Sequence, residues 1–310
     1  MNVLNRSLFQ AVFATVCLAV LASAAAFQDL PPETVIATVN GTPITEGDLE
    51  FVYLARGVRD ELKPTVREQY IEDLIDRRLL KGFLAAQNIT ASDAIVDERV
   101  QRMEKLVARE GLDFTQTLES LGYTRATFRE AVEQPIVWNI HARRVITDTA
   151  IGTYWKQHRK RFDGTEVRAA QIVKRIPQDA TAEQLAMLKQ QLGDLRARIM
   201  AGDISFADAA KAESDSPSGK DGGDIGQFVY RGRMPVELTS VAFALQPGEI
   251  SEPFQTRFGM HLLSVAEIIP GDLSLEDTRG EIFGVLSREL QKRLIAELRA
   301  KADIRKVGAK

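Results

Sequence analysis

The segment from Ser214 to His261 constrains this chain more than any other. Glycines 219, 222, 223, 226, 232, 248 and 259 and prolines 217, 235, 247 and 253 break it at short intervals. Neither residue is tolerated in a long helix interior. What fits between the breaks is the polar loop Ser216-Pro217-Ser218-Gly219-Lys220, the turn Gly222-Gly223-Asp224-Ile225-Gly226, and the run Arg231-Gly232-Arg233-Met234. One short helix over 235–245, the turn Pro247-Gly248-Glu249 and the stretch Phe258-Gly259-Met260-His261 follow, leading into Leu262, Ser264 and Ala266. Dense turns between short apolar pieces predict a small sheet whose loops carry a site.

The rest of the chain is of another kind. After a β-prone stretch over 35–39 and the tight-turn pair Asn40-Gly41, Thr45 opens a helix with Asp48 at the capping-box position. Apolar residues at helical spacing then predict helices over 65–87, 92–110, 112–121, 124–146 (with a bend at Pro135) and 150–162. Read alone, such a helical half is equally a scaffold without a ligand or a frame around an apolar groove. Between 165 and 269 the order becomes strand, two helices, loop, helix, strand, strand. Past Pro270-Gly271, Ser274 and Asp277 start a long helix carrying Ile282, Leu286, Leu290, Leu294 and Leu298 on one face. That stripe needs a partner, and 302–307 is expected to add a strand beside 35–39.

The first residues speak to compartment. Arg6, the apolar run Leu8–Leu21 and the small residues Ala22-Ser23-Ala24 or Ala24-Ala25-Ala26 have the layout of a cleaved secretory signal over 1–26. An uncleaved membrane anchor is the alternative, weakened by Gln10, Thr15 and Ser23. The single cysteine, Cys17, lies in this run, so a chain cleaved after it has no thiol chemistry. A formal net charge of −3 shows no basic stripe of the kind nucleic acid requires.

Several chemistries are disfavoured by the residues themselves. The glycine turn at 222–226 lacks the Lys-Ser/Thr of a phosphate loop, and Asp224 would repel phosphate. Asp215, Ser216 and His261 lack a nucleophile elbow. His141 and His158 fall on predicted helices without metal-ligand spacing and read as solvated faces. Neither a cofactor nor a metal is expected.

GGDIG, RGRM, the AF-L-PGEIS-PF run and the closing FG-H, with Val167–Val173 as first strand, resemble the parvulin class of peptidyl-prolyl cis-trans isomerases over about 165–269. VIATVNGTPIT at 35–45 resembles the start of the helical chaperone region of bacterial periplasmic foldases. The resemblance implies an α+β chain: a parvulin domain, a small antiparallel sheet with surrounding helices, inserted in a mainly helical chaperone domain. The expected divisions are 33–162, 165–269, and 272–310 folding back on the first. It implies a proline-ring pocket on Ile225, Met234 and Leu238, the last standing where the family usually has phenylalanine. Phe243 and Phe254 are further candidates for that pocket, with ordinary core as the first reading of each.

The same resemblance implies a polar cluster of two histidines, a cysteine or aspartate, and a hydroxyl. His261 matches the second histidine and Thr256 the hydroxyl. Gln171 stands at the first histidine and Ser216 at the cysteine or aspartate. Glutamine donates and accepts hydrogen bonds but cannot titrate. The implied partners are unfolded or partly folded exported polypeptides with Xaa-Pro bonds, outer-membrane proteins among them. A membrane is a partner only if the N-terminal segment stays uncleaved. A chaperone holding proline-containing segments without turnover is the alternative function.

Overall fold

The computed structural model describes residues 31–120 and 123–307. The expected secretory segment lies outside the described residues, as does the expected helix end at Leu121. In chain order the elements are β1 (Val35–Val39), β2 (Thr42–Thr45), α1 (Glu46–Arg56), α2 (Lys63–Ala86), α3 (Asp93–Arg109), α4 (Phe114–Ser120), α5 (Arg125–Val145) and α6 (Asp148–Gln157). Then come β3 (Glu166–Lys174), α7 (Ala182–Met200), α8 (Phe206–Glu213), β4 (Asp224–Val229), α9 (Val236–Ala242), β5 (Phe254–Thr256), β6 (Gly259–Ile269), α10 (Leu275–Arg299) and β7 (Ile304–Lys306). Two compact units result: one of residues 1–147 with 286–310, the other of residues 148–285. Among the described residues no helix is long and apolar enough to cross a membrane.

In the first unit Asn40 and Gly41 both take positive φ, +50° and +79°, the conformation a two-residue hairpin turn needs, and they join β1 to β2 antiparallel. Thr45 N–H donates to Asp48 Oδ2 at 2.9 Å and Asp48 N–H to Thr45 Oγ1 at 3.3 Å, so α1 begins with the expected reciprocal cap. β7 pairs antiparallel with the other edge of β1, giving the order β2-β1-β7. One core gathers Ile36, Val39, Leu49, Tyr53, Ile71 and Ile75, with Leu298 and Ile304 packed against it. A second holds Leu80, Leu84 and Val137 with Trp138 and Leu294. Leu294 and Leu298 of the α10 stripe thus meet partners in this unit, and Trp138 Nε1–H donates to Ser287 Oγ at 3.0 Å.

α5 holds Pro135 in its interior. Two expectations need correction. The stretch expected as one helix over 150–162 is α6 followed by a separate 3-10 turn at Arg159–Arg161. Neither His141 nor His158 is a solvated face. Both are half-buried: His141 packs against the rings of Phe83 and Trp138, and His158 against Tyr154. Aromatic neighbours three or four residues away, or on another helix, cover them.

In the second unit the strands form an antiparallel sheet in the order β4-β3-β6-β5. Side chains alternate across it. Ile172, Met260 and Leu262 face α7 and α8, packing with Leu192, Leu195 and Ala209. Val167, Ala169, Leu263 and Val265 face the other way, packing with Phe228, Leu238 and Ala242. By the same period of two, Gln171 and His261 lie on the Leu238 side.

Candidate functional site

β3 and β6 pair with Val173 opposite His261 and Gln171 opposite Leu263. Gln171 and His261 are therefore diagonal neighbours on one face, a separation that two long side chains bridge. β5 brings Phe254 opposite His261 on the other flank and ends on Thr256. Two glycines let the strands close in. Gly223 (φ +86°) accepts Gln171 N–H at 2.8 Å, and a Cβ there would stand 2.5 Å from Gln171 O. Gly259 (φ +146°) leads into β6 where a Cβ would stand 2.4 Å from Lys174 O. The loop after α8 is stitched to β3: Asp215 N–H donates to Val173 O at 2.7 Å, and Val173 N–H donates to Ser214 Oγ at 3.1 Å.

These elements bring the four expected polar side chains into one hydrogen-bonded chain. Phe258 N–H donates to Thr256 Oγ1 at 3.0 Å, and Thr256 Oγ1 lies 2.8 Å from His261 Nε2. His261 Nδ1 lies 3.2 Å from Gln171 Oε1, and Gln171 Nε2–H reaches Ser216 Oγ at 3.5 Å. Ser216 Oγ is 3.1 Å from Ser218 Oγ. An amide oxygen only accepts, so His261 Nδ1 carries the ring proton. Nε2 is then the acceptor and the Thr256 hydroxyl donates to it. Every proton in the chain points the same way, from Phe258 toward Ser216.

His261 is 3% exposed and Thr256 5%. Burial penalises the imidazolium and pushes the His261 pKa down to about 4. At neutral pH the chain therefore holds no charge, and both ring nitrogens are already engaged. It can orient dipoles, but it has no free base.

The apolar residues assemble beside it. Ile225 and Met234 pack, half-buried, on the cluster containing Leu238, and Phe243 and Phe254 join them. Leu238, at 3% exposed, is buried within that cluster. Phe254 does more than fill the core: its ring stacks on His261, with centroids 5.4 Å apart and planes 22° from parallel. It is the physical joint between apolar cluster and polar chain. Met234 also lines a cavity of about 470 Å³, with Tyr230, Val236 and Phe162 on its wall. Ile225 and Leu238 are not on that wall.

Sequence reasoning missed the Phe254 stacking, the Phe258 N–H at the head of the chain, and Ser218 at its tail. The only sequence signal for Phe254 was its position seven residues before His261, meaningful once β5 and β6 are known to pair in a tight hairpin.

Comparison with known proteins places these features. Residues 172–267 match the family model described as PPIC-type PPIASE domain, and residues 2–140 match the SurA-like N-terminal domain. The chain is similar to a "Putative peptidyl-prolyl cis-trans isomerase SurA" of Haemophilus influenzae, 27% identical over 266 residues, which are 79% of each chain. It is similar to a "Foldase protein PrsA" of Caldanaerobacter subterraneus, 25% identical over 282 residues, 85% of this chain and 82% of that one. A "Chaperone SurA" of Alkalilimnicola ehrlichii is 27% identical over 217 residues, 69% of this chain but only half of the relative's length.

Proposed function

We propose, for a chain that carries a PPIC-type PPIase domain and a SurA-like N-terminal domain, that it is a peptidyl-prolyl cis-trans isomerase and foldase. Its substrates are exported, incompletely folded polypeptides in the bacterial periplasm. The observation that carries this reading is the uncharged chain Thr256–His261–Gln171–Ser216 stacked, through Phe254, on the apolar cluster of Ile225, Met234 and Leu238.

Prolyl isomerisation makes and breaks no covalent bond. The barrier is the loss of amide resonance, about 18–20 kcal/mol, and uncatalysed exchange takes about tens of seconds or longer. A proton acceptor is therefore not required. An apolar cup holds the pyrrolidine ring and strips water from the adjoining carbonyl, which weakens the charge-separated resonance form that keeps the imide planar. Oriented dipoles then favour the twisted imide over the planar one. A neutral His261 suits this work, because it holds Thr256 and Gln171 in fixed directions without the desolvation cost of a buried charge.

Two residues favour a second reading. Gln171 and Ser216 stand where the parvulin class has histidine and cysteine or aspartate, and a site so altered could bind proline-containing segments without turnover. A protease-coupled isomerisation assay on the whole chain separates the two. Catalysis lost on Met234→Ala supports the isomerase. No catalysis, with suppressed aggregation of an unfolded outer-membrane protein, supports the holdase. The apolar segment at 8–26 carries the assignment to the exported compartment. Fractionation with a high-salt wash tests it: release as soluble periplasmic protein fits a cleaved signal, and retention in membranes fits an anchor.

A further inference from the structure

The cavity beside Met234 has a chemistry that the proline cup does not account for. Its wall carries two interleaved cation–ring pairs. The guanidinium of Arg161 lies 4.9 Å from the Tyr230 ring centre, and that of Arg231 lies 4.7 Å from Phe162. Residues 161–162 and 230–231 thus clasp one another, each segment giving one ring and one cation. The lining is largely apolar: Phe162 is 3% exposed, Met234 is half-buried and Val236 is exposed.

The cations near Met234 differ in what they are bound to. Arg231 Nη1 is 2.6 Å from Glu281 Oε1, and Arg233 Nη2–H donates to Ile225 O at 3.3 Å. Arg161 is half-buried, its face covered by Tyr230. Among the described residues Arg161 takes part in none of the ion pairs that hold its neighbours Arg159 and Arg231. A guanidinium pre-oriented on an aromatic face, with its hydrogen-bonding edge uncommitted, is built for a planar anion. The chain's net charge is −3, so its overall field repels acidic ligands, and any attraction must be local.

We propose that this cavity is a second subsite of the client-binding surface and takes an acidic side chain of the polypeptide, paired with Arg161. This deepens the isomerase reading and rests on it in one respect. Met234 is common to the proline cluster and the cavity, which places the acidic residue near the proline in sequence. The volume, about 470 Å³, falls in the range of small-ligand pockets and accommodates a glutamate together with neighbouring backbone.

The test uses the whole chain and fluorescein-labelled hexapeptides containing one proline, with Glu, Gln or Lys at each of the three positions on either side. At one position or more, Glu binds about fivefold tighter than Gln by fluorescence anisotropy, as expected for one partly exposed charge-assisted pair. Lys there binds more weakly than Gln. Arg161→Gln removes the Glu advantage and leaves the Gln peptide unchanged, whereas Arg257→Gln, elsewhere in the same unit, leaves the advantage intact. Equal binding of Glu and Gln peptides to the unmodified chain at every position overturns the proposal, whether or not the Arg161 variant folds. A Glu advantage that survives in a folded Arg161→Gln chain overturns it too. Replacing proline by alanine tests the proline cup separately. Peptides that keep the Glu preference but are indifferent to proline leave the subsite standing and count against the isomerase reading.

Discussion

Acidification acts on His261 before it acts on the carboxylates. The imidazole is held neutral in the folded chain, with a pKa of about 4, against about 6.5 when unfolded. Between these values the unfolded chain binds the proton and the folded chain does not, so stability falls as pH falls from about 6.5 to 4 and is fully present above that window. From pH 7 to pH 4 the loss from this one group is about 3 kcal/mol, at about 1.4 kcal/mol per pH unit. Carboxylates held low, such as Glu72 under Lys306 and Arg299, Asp224 and Asp277, contribute loss only below their unfolded range, about pH 4. His141, also lowered by burial, costs stability in the same direction as pH falls, so a variant must separate them. Trp138 and Trp155 fall in different units. Urea unfolding in a Trp138→Phe background therefore reports, through Trp155, on the unit that holds His261. The midpoint should drop between pH 7 and pH 5 in the parent and much less in His261→Gln, whose side chain cannot ionise. Equal drops in both would refute the claim that His261 is buried neutral.

Three more outcomes follow from the same geometry. Thr256→Val keeps the shape but leaves His261 Nε2 and Phe258 N–H without their partner. Denaturant unfolding should show about 2 kcal/mol less stability, and isomerisation should fall with peptide affinity unchanged, since the apolar cluster is untouched. Gln171→Glu puts a carboxylate beside Nδ1–H and should raise the His261 pKa, read from the ring-proton shifts by NMR; a value still about 4 would mean that the two side chains do not meet. Gly223→Ala places a methyl 2.5 Å from Gln171 O at a φ of +86°. It should destabilise the chain by more than about 2 kcal/mol and abolish isomerisation, checked by unfolding and assay together.

Much of the architecture is legible in local rules. Asn40-Gly41, Thr45 with Asp48, and Ser274 with Asp277 are short-range signals whose partners sit within four residues, and each does what its chemistry dictates. The helix-spaced stripe on α10 announces that it needs a partner, and Leu294 and Leu298 meet theirs in the first unit. The polar chain is legible for a different reason: motif order names Gln171, Ser216, Thr256 and His261, and strand alternation puts the central pair on one face. What could not be read depends on cross-chain geometry. Phe254 stacks on His261 because of a hairpin register, and the Arg161–Tyr230 and Arg231–Phe162 clasp joins segments about 70 residues apart. His141 and His158 were misread because a histidine's exposure is set by neighbouring rings, which periodicity alone does not place.

The most direct measurement is the rate of cis-trans exchange in an Xaa-Pro peptide, followed by NMR exchange spectroscopy with the whole chain present, from pH 5.5 to 8.5. With an uncharged chain of dipoles beside an apolar cup, exchange should be accelerated, the acceleration should be flat across that range, and Met234→Ala should remove it. An acceleration that rises or falls through an inflection near pH 6.5, or none at all, would contradict catalysis by a neutral His261.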